Sequence, residues 1–266
     1  MFDRYNRHIT YLRISVTDRC NLRCNYCMPS EGVKMLDHHQ ILTFDEIVSF
    51  TRIAVKNGIC KVRITGGEPL VRRGIVDLVG MIAEINGITD LAMTTNAVLL
   101  KQFAKPLFNA GLKRINVSLD TLNEQKFNEI TRGGRLNDVI DGIMEAKVVG
   151  FNPIKLNCVV KSSSNEPDAI QVKDFALQNG LQVRFIPLMD LDTGHHGIVE
   201  GGSGGDCVSC NRIRLTASGF VKPCLFNDIG FSVRELGAEE ALSRAISMKP
   251  ECGGISTQGE FYNIGG

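Results

Sequence analysis

Hydrophobic and polar residues alternate in short bursts along the first two-thirds of the chain, and longer amphipathic stretches separate the bursts. Leu12, Ile14 and Val16 alternate with Arg13, Ser15 and Thr17, and Val62 and Ile64 with Lys61, Arg63 and Thr65. Ile115, Val117 and Leu119 alternate with Asn116, Ser118 and Asp120, and Leu156 and Cys158 with Lys155 and Asn157. A period of two marks a strand with two unlike faces. Strands are predicted over residues 11–17, 61–65, 91–95, 114–120, 154–160 and 182–188. Between them the apolar period lengthens to that of a helix over 44–57, 75–85, 99–109, 136–149 and 168–178. Thr43 and Glu46, three apart, form a capping box at the head of the first helix. Gly58, Gly111, Gly150 and Gly180 stand where helices stop.

Strand and helix in alternation imply a parallel sheet with right-handed crossovers. Six units suit an α/β fold of the partial (βα)6 TIM-like barrel kind better than a closed eightfold one. Helices cover the outside of such a barrel, so the apolar set of each strand must face outward. The polar sets then line the interior. Arg13, Lys61, Arg63, Lys155 and Arg184 would make that interior wet, cationic and fit for anions. After Asp190 the pattern changes. Residues 200–206 read as a flexible linker by composition. Residues 212–216 and 220–224 flank Ala217, Ser218 and Gly219 as a hairpin, a helix covers 238–248, and a Gly-rich tail ends in Gly265 and Gly266. This divides the chain into a barrel domain over 1–190 and a small C-terminal extension over 191–266.

The 266 residues are 43% hydrophobic, enough for one large core, and 30 basic side chains nearly cancel 29 acidic ones. That balance argues against nucleic-acid or membrane-surface binding by bulk charge. No signal peptide opens the chain and no apolar run is long enough to span a bilayer, so a soluble, cytoplasmic protein is expected. In a reducing compartment nine cysteines point to metal or redox chemistry before disulfides.

Six of them fall in two triplets. Cys20, Cys24 and Cys27 form C-x3-C-x2-C in the loop after the first strand. Three thiolates hold three irons of a cubane cluster and leave the fourth open. S-adenosylmethionine can chelate such an iron, and an electron passed into its sulfonium releases a 5′-deoxyadenosyl radical. Cys207, Cys210 and Cys224 form C-x2-C-x13-C across the hairpin. Zinc favours four protein ligands and C-x2-C pairs, which weighs against it at the first motif and leaves it open at the second. Gly66, Gly67, Glu68 and Pro69 follow the second strand, where glycines let backbone approach a ligand closely; a plain turn is the alternative. Arg212 and Arg214 flank one strand position and share a face. The other cysteines are scattered: Cys158 is read as core, and Cys60 and Cys252 have no partner at ligand spacing. His38, His39, His195 and His196 lie in polar loops and are not counted as ligands.

The motifs YLRISVTDRCNLRCNYCMP over 11–29, RITGGEPL over 63–70, TTN over 94–96, VSLD over 117–120 and CVSCNRIRL over 207–215 recur with the terminal Gly-Gly. As a set they resemble the GTP 3′,8-cyclase (MoaA) family of radical S-adenosylmethionine enzymes, which acts first in molybdenum cofactor synthesis. The resemblance implies two [4Fe–4S] clusters, the first on Cys20, Cys24 and Cys27 and the second on Cys207, Cys210 and Cys224. It implies cofactor contacts from Tyr26, Gly67, Thr94, Ser118, Arg184 and Met189. It implies that Arg13, Arg212 and Arg214 serve substrate binding and turnover, that Lys61, Arg63 and Lys155 face the triphosphate, and that Gly265 and Gly266 enter the barrel. GTP would be the substrate and 3′,8-cyclo-7,8-dihydro-GTP the product. An electron donor, a downstream pathway enzyme and a homodimer would be its associates. The stretch between Met189 and Cys207 is shorter than in the family, which should trim the barrel wall without separating its ends. Two other readings stay open at this stage, a peptide-modifying radical enzyme with an auxiliary cluster and a non-catalytic zinc protein.

Overall fold

The six expected strands form and pair in parallel, in chain order. In this computed structural model, which describes residues 1–257 and 261–264, they are β1 (Tyr11–Ser15), β2 (Lys61–Thr65), β3 (Asp90–Thr95), β4 (Arg114–Ser118), β5 (Ile154–Val160) and β6 (Gln182–Pro187). Helices α1 (Phe44–Lys56), α2 (Ile75–Ala83), α3 (Leu100–Asn109), α4 (Glu124–Thr131), α5 (Leu136–Val149) and α6 (Pro167–Gln178) fill the crossovers. The predicted two-faced strands are observed. Leu12, Ile14, Val62, Ile64, Ile115, Val117, Leu156 and Cys158 join one core with the inner faces of the helices. Their polar neighbours turn the other way, into the lumen.

The hairpin does more than decorate the barrel. Strand β7 (Arg212–Leu215) pairs in parallel with β1, with Arg13 opposite Arg214. β8 (Phe220–Lys222) and β9 (Phe231–Ser232) follow antiparallel, extending the sheet to nine strands in the order β6-β5-β4-β3-β2-β1-β7-β8-β9 among the described residues. A short α7 (Val233–Leu236), then α8 (Ala238–Ser247) and α9 (Phe261–Ile264) are the last elements among the described residues. No helix among the described residues is long and apolar enough to cross a membrane.

Two expectations need correction. Residues 200–206, Gly-rich and read as a flexible linker, begin by running back along the open edge of β6. The Phe185 amide donates to the Glu200 carbonyl at 3.1 Å, and the reverse bond is 3.0 Å. A sheet edge left bare exposes unpaired backbone groups, and this return satisfies some of them. Helix α4 and the pair β9–α7 lie outside the set of elements read from periodicity. α4 buries only Phe127 and Thr131, too few positions to declare a helical period.

Candidate functional site

Parallel register places the two cysteine triplets at opposite ends of the same strands. Cys20, Cys24 and Cys27 follow the C-terminal end of β1. Cys207 and Cys210 precede β7, whose first residue, Arg212, sits beside Tyr11 at the start of β1. Strand β8 runs antiparallel and returns Cys224 to that same end. The lumen lies between.

The first loop is built around α4, the helix that periodicity missed. The amides of Arg23 and Asn25 donate to the carbonyls of Thr131 and Ile130 at 3.1 and 2.9 Å. Arg132, in the left-handed region at φ 54°, turns its guanidinium back to the carbonyls of Arg23 and Met28 at 3.0 and 2.8 Å. The three thiols are free. Burial pushes Cys20 up to about 11 and Cys24 and Cys27 up to about 12, with Asp120 and then the neighbouring sulfurs contributing to the rise at Cys24. Such thiols become thiolates only when positive charge shares the site, which a cluster's irons supply. The donor set therefore fits a cluster. Beside it, the Tyr26 hydroxyl donates to the buried carboxylate of Asp120 at 2.7 Å. Gly67 nests against the neighbouring backbone so closely that a Cβ there would lie 2.3 Å from the Arg19 carbonyl oxygen. Glu68, 1% exposed, accepts from Leu70 N at 3.0 Å, Thr95 Oγ1 at 2.7 Å and Asn96 N at 2.7 Å, tying β2 to β3. Burial pushes its carboxyl up to about 7. The Thr94 hydroxyl is buried without a hydrogen-bond partner among the described residues. Ser118 closes the C-terminal end of β4 nearby, opposite Asn157 of β5.

The second site has the opposite electrostatic setting. Burial alone would raise the Cys210 thiol, but Lys249 and Arg212 outweigh it and hold it down at about 7. Lys249 is 2% exposed, and its Nζ donates to the carbonyls of Arg212 and Pro223, each at 2.7 Å. Those carbonyls lie two residues after Cys210 and one before Cys224. Cys210 and Cys224 are free, whereas Cys207 is joined to Cys252 by a disulfide with Cα atoms 5.1 Å apart. Three thiolates, the number a cubane with one open iron requires, are thus present once that bond is reduced. His196 Nε2 lies 3.5 Å from Cys207 Sγ and 3.8 Å from Cys252 Sγ, and its ring stacks on Phe226. Two readings from sequence are corrected here. Cys252 has a partner after all, and His196 stands beside a candidate ligand. The 45 residues separating Cys252 from Cys207 hide the pairing from any spacing rule.

Between the two ends lies a cavity of about 370 Å³, lined by Arg13, Lys61, Arg63, Lys155, Arg184, Met189, Arg212 and Arg214 as the alternation requires. Tyr11, Asn157, Asp90 and Arg114 line it as well, the last two paired at 2.9 Å. Asn157 belongs to the polar row already read on β5, whereas Tyr11, Asp90 and Arg114 were not singled out because they begin β1, β3 and β4, and their place in the lumen shows only in the register. Burial, then repulsion from Arg214, lowers the Arg13 guanidinium, and burial, then repulsion from Arg212, brings Arg214 down to about 10. Burial followed by crowding from Arg184, Arg114 and Arg63 lowers Lys155. Arginine stays charged regardless, so the crowding is relieved only by an anion. Tyr11 Oη, Asn157 Oδ1 and the Nε atoms of Arg63, Arg114 and Arg184 are buried without partners among the described residues. Buried polar atoms in that state are the mark of a ligand site. Gly265 and Gly266 lie outside the described residues. The preceding Ile264 is buried with Leu191, Leu225 and Phe226, against Met189 and Cys224, at the second site's end of the cavity.

Residues 14–176 match the Radical SAM superfamily. The GTP 3′,8-cyclase of Thermodesulfovibrio yellowstonii is 41% identical over 305 residues, covering 94% of this chain and 95% of that protein. The GTP 3′,8-cyclase of Geobacter sulfurreducens is 39% identical over 308 residues, covering 96% and 94%. Both aligned lengths exceed the 266 residues here, so these relatives carry residues that this chain lacks. The structure of Streptococcus suis SuiB bound to S-adenosylmethionine has the same fold, with a TM-score of 0.68 over 92% of this chain and 65% of that one at 18% identity.

Proposed function

Because the chain belongs to the GTP 3′,8-cyclase family of the Radical SAM superfamily, we propose that it binds GTP in the cationic lumen and joins the ribose 3′ carbon to carbon 8 of guanine. The product is 3′,8-cyclo-7,8-dihydro-GTP, destined for molybdenum cofactor synthesis. Its cofactors are two [4Fe–4S] clusters and S-adenosylmethionine, which when bound supply one-electron cleavage of a sulfonium and the hydrogen abstraction that starts ring closure. The chain's own residues bind, orient and shield. Cys20, Cys24 and Cys27 hold the first cluster, and Tyr26, Gly67, Thr94 and Ser118, with Arg184 and Met189 from the β6 side, receive S-adenosylmethionine. Cys207, Cys210 and Cys224 hold the second. Lys61, Arg63 and Lys155 take the triphosphate, while Arg13, Arg212 and Arg214 fix the nucleoside between the two ends, and Gly265 and Gly266 close the substrate side.

One observation carries this reading: a lumen lined by nine cationic side chains and by Cys207, Cys210 and Cys224, with the other cysteine triplet following the far end of β1. A nucleoside triphosphate supplies the anion this lumen needs, and an uncharged peptide does not. The division at residue 190, a cytoplasmic setting, an external electron donor, a downstream enzyme and a homodimer belong to the same reading. The test is anaerobic reconstitution followed by incubation with GTP, S-adenosylmethionine and dithionite, with mass analysis. Deoxyadenosine should appear with an isomer of GTP of unchanged mass. Deoxyadenosine beside unaltered GTP would remove GTP as substrate, and its absence from protein carrying eight irons would remove the radical chemistry.

A further inference from the structure

We propose that Cys252 is the built-in partner of the cluster ligand Cys207, holding it as a reversible disulfide whenever the second site has no cluster. This rests on the reading above only in naming Cys207 a ligand. The pairing itself is engineered by the fold. A buried Arg7, locked to Asp3 by a 2.6 Å ion pair, donates to the Cys207 carbonyl at 2.7 Å, the Glu251 carbonyl at 2.8 Å and the Pro250 carbonyl at 2.6 Å. One guanidinium thus clamps the backbone of both cysteines' segments. Lys249 and the 3.0 Å bond from Gly254 N to Phe226 O fasten the same segment to the β8 side. At Gly253 a Cβ would sit 3.1 Å from Cys224 Sγ, so the strap is drawn tight over the second site.

The same sulfur cannot ligate iron and hold Cys252, so the two states exclude each other. Cys252 is exposed and Cys207 only partly so, which sets the order of events. The Cys252 sulfur attacks a small-molecule disulfide such as oxidised glutathione, forming a mixed disulfide and releasing one thiol. The Cys207 sulfur then displaces the second thiol. Two protein thiols and one small disulfide become one protein disulfide and two small thiols, and an excess of thiol reverses the exchange. The gain is protection. A bare ligand thiol oxidises through sulfenic to irreversible sulfinic acid, and a disulfide stops that course at a recoverable step.

The test uses the full chain, stripped of iron anaerobically, freed of reductant and exposed to oxidised glutathione. Alkylation and peptide mapping should find Cys207 cross-linked to Cys252. Cys207 carrying glutathione, or joined to Cys210, would overturn the proposal. A second arm challenges stripped wild type and Cys252→Ser with dilute peroxide, then reduces and reconstitutes both. Wild type should regain its full iron, and the variant should recover about four irons fewer, with Cys207 found as sulfinic acid. Equal recovery would sink the protective role. Unchallenged protein that never takes up the second set of irons counts against the second cluster, while the peptide map still decides the pairing.

Discussion

Lys249 is a lysine withdrawn from water, a position such a side chain occupies only when its charge is met. Two carbonyls and the nearby sulfurs of Cys210 and Cys224 meet it. Replacing it with methionine keeps the volume, leaves two buried carbonyls without a donor at about 1–3 kcal/mol each, and removes the cation that favours thiolates. Lys249→Met should therefore lose about four irons per chain while still cleaving S-adenosylmethionine at the first site, and Lys249→Arg should retain part of the second cluster. Full iron in the methionine variant would show that the lysine only fills space. Glu68 gives a pH signature. Its folded carboxyl titrates near 7, above the ordinary 4.5, so its contribution to stability is complete below about 4.5 and fades as pH rises through 7. Glu68→Gln carries no such titration. Unfolding free energies of the cluster-free proteins, measured by urea titration, should diverge in the variant's favour between those limits, by on the order of 3 kcal/mol. Parallel curves would contradict the burial.

At the scale of elements, helix packing sets the spacing of the barrel wall. α5 presses Gly142 against the turn before α3, where a Cβ would stand 2.5 Å from the Ala97 carbonyl and 3.0 Å from Leu100 Cβ. Helix propensity alone would favour alanine by about 1 kcal/mol. The close approach to backbone reverses the sign, and overpacking costs typically about 1–3 kcal/mol. Urea unfolding of Gly142→Ala should show a net loss of stability, and a gain would mean that the helices can part freely. The strands, in contrast, were legible in place, although β1 and β4 end two residues before the predicted limits. β2, β5 and α5 occupy the spans that periodicity assigns them, because a two-faced strand and a long amphipathic helix each declare themselves locally. Helix α4 was not legible, for its role is to brace the Cys20–Cys27 loop rather than to bury a stripe.

For the whole molecule the governing feature is positive charge concentrated inside a chain that is almost neutral in total. The net charge is +1, yet the lumen concentrates arginine and lysine in a low-dielectric space where attraction is strong. Binding of a triphosphate should weaken as salt rises, more than binding of guanosine. Lys155 is partly exposed and crowded by Arg184, Arg114 and Arg63, so its loss removes charge without collapsing the wall. Lys155→Met should raise the KM for GTP about tenfold, ~1.4 kcal/mol, with little change in kcat. Unchanged KM would place the triphosphate elsewhere.

The sequence by itself determined the order of strands and helices, the inward cationic rows and the two cysteine triplets, since each is written in local period or short spacing. Only the tertiary structure decided that β7 would lie against β1 and set the triplets at opposite ends of one lumen. It alone brought Lys249 to the carbonyls flanking Cys210 and Cys224, Arg7 to both segments of the Cys207–Cys252 pair, and Ile264 to Phe226. These contacts join residues tens to hundreds of positions apart. Their cause is the docking of β7 on β1 and the packing of the 249–254 segment over the second site, and a pattern with a period of two or of three to four residues carries no record of either.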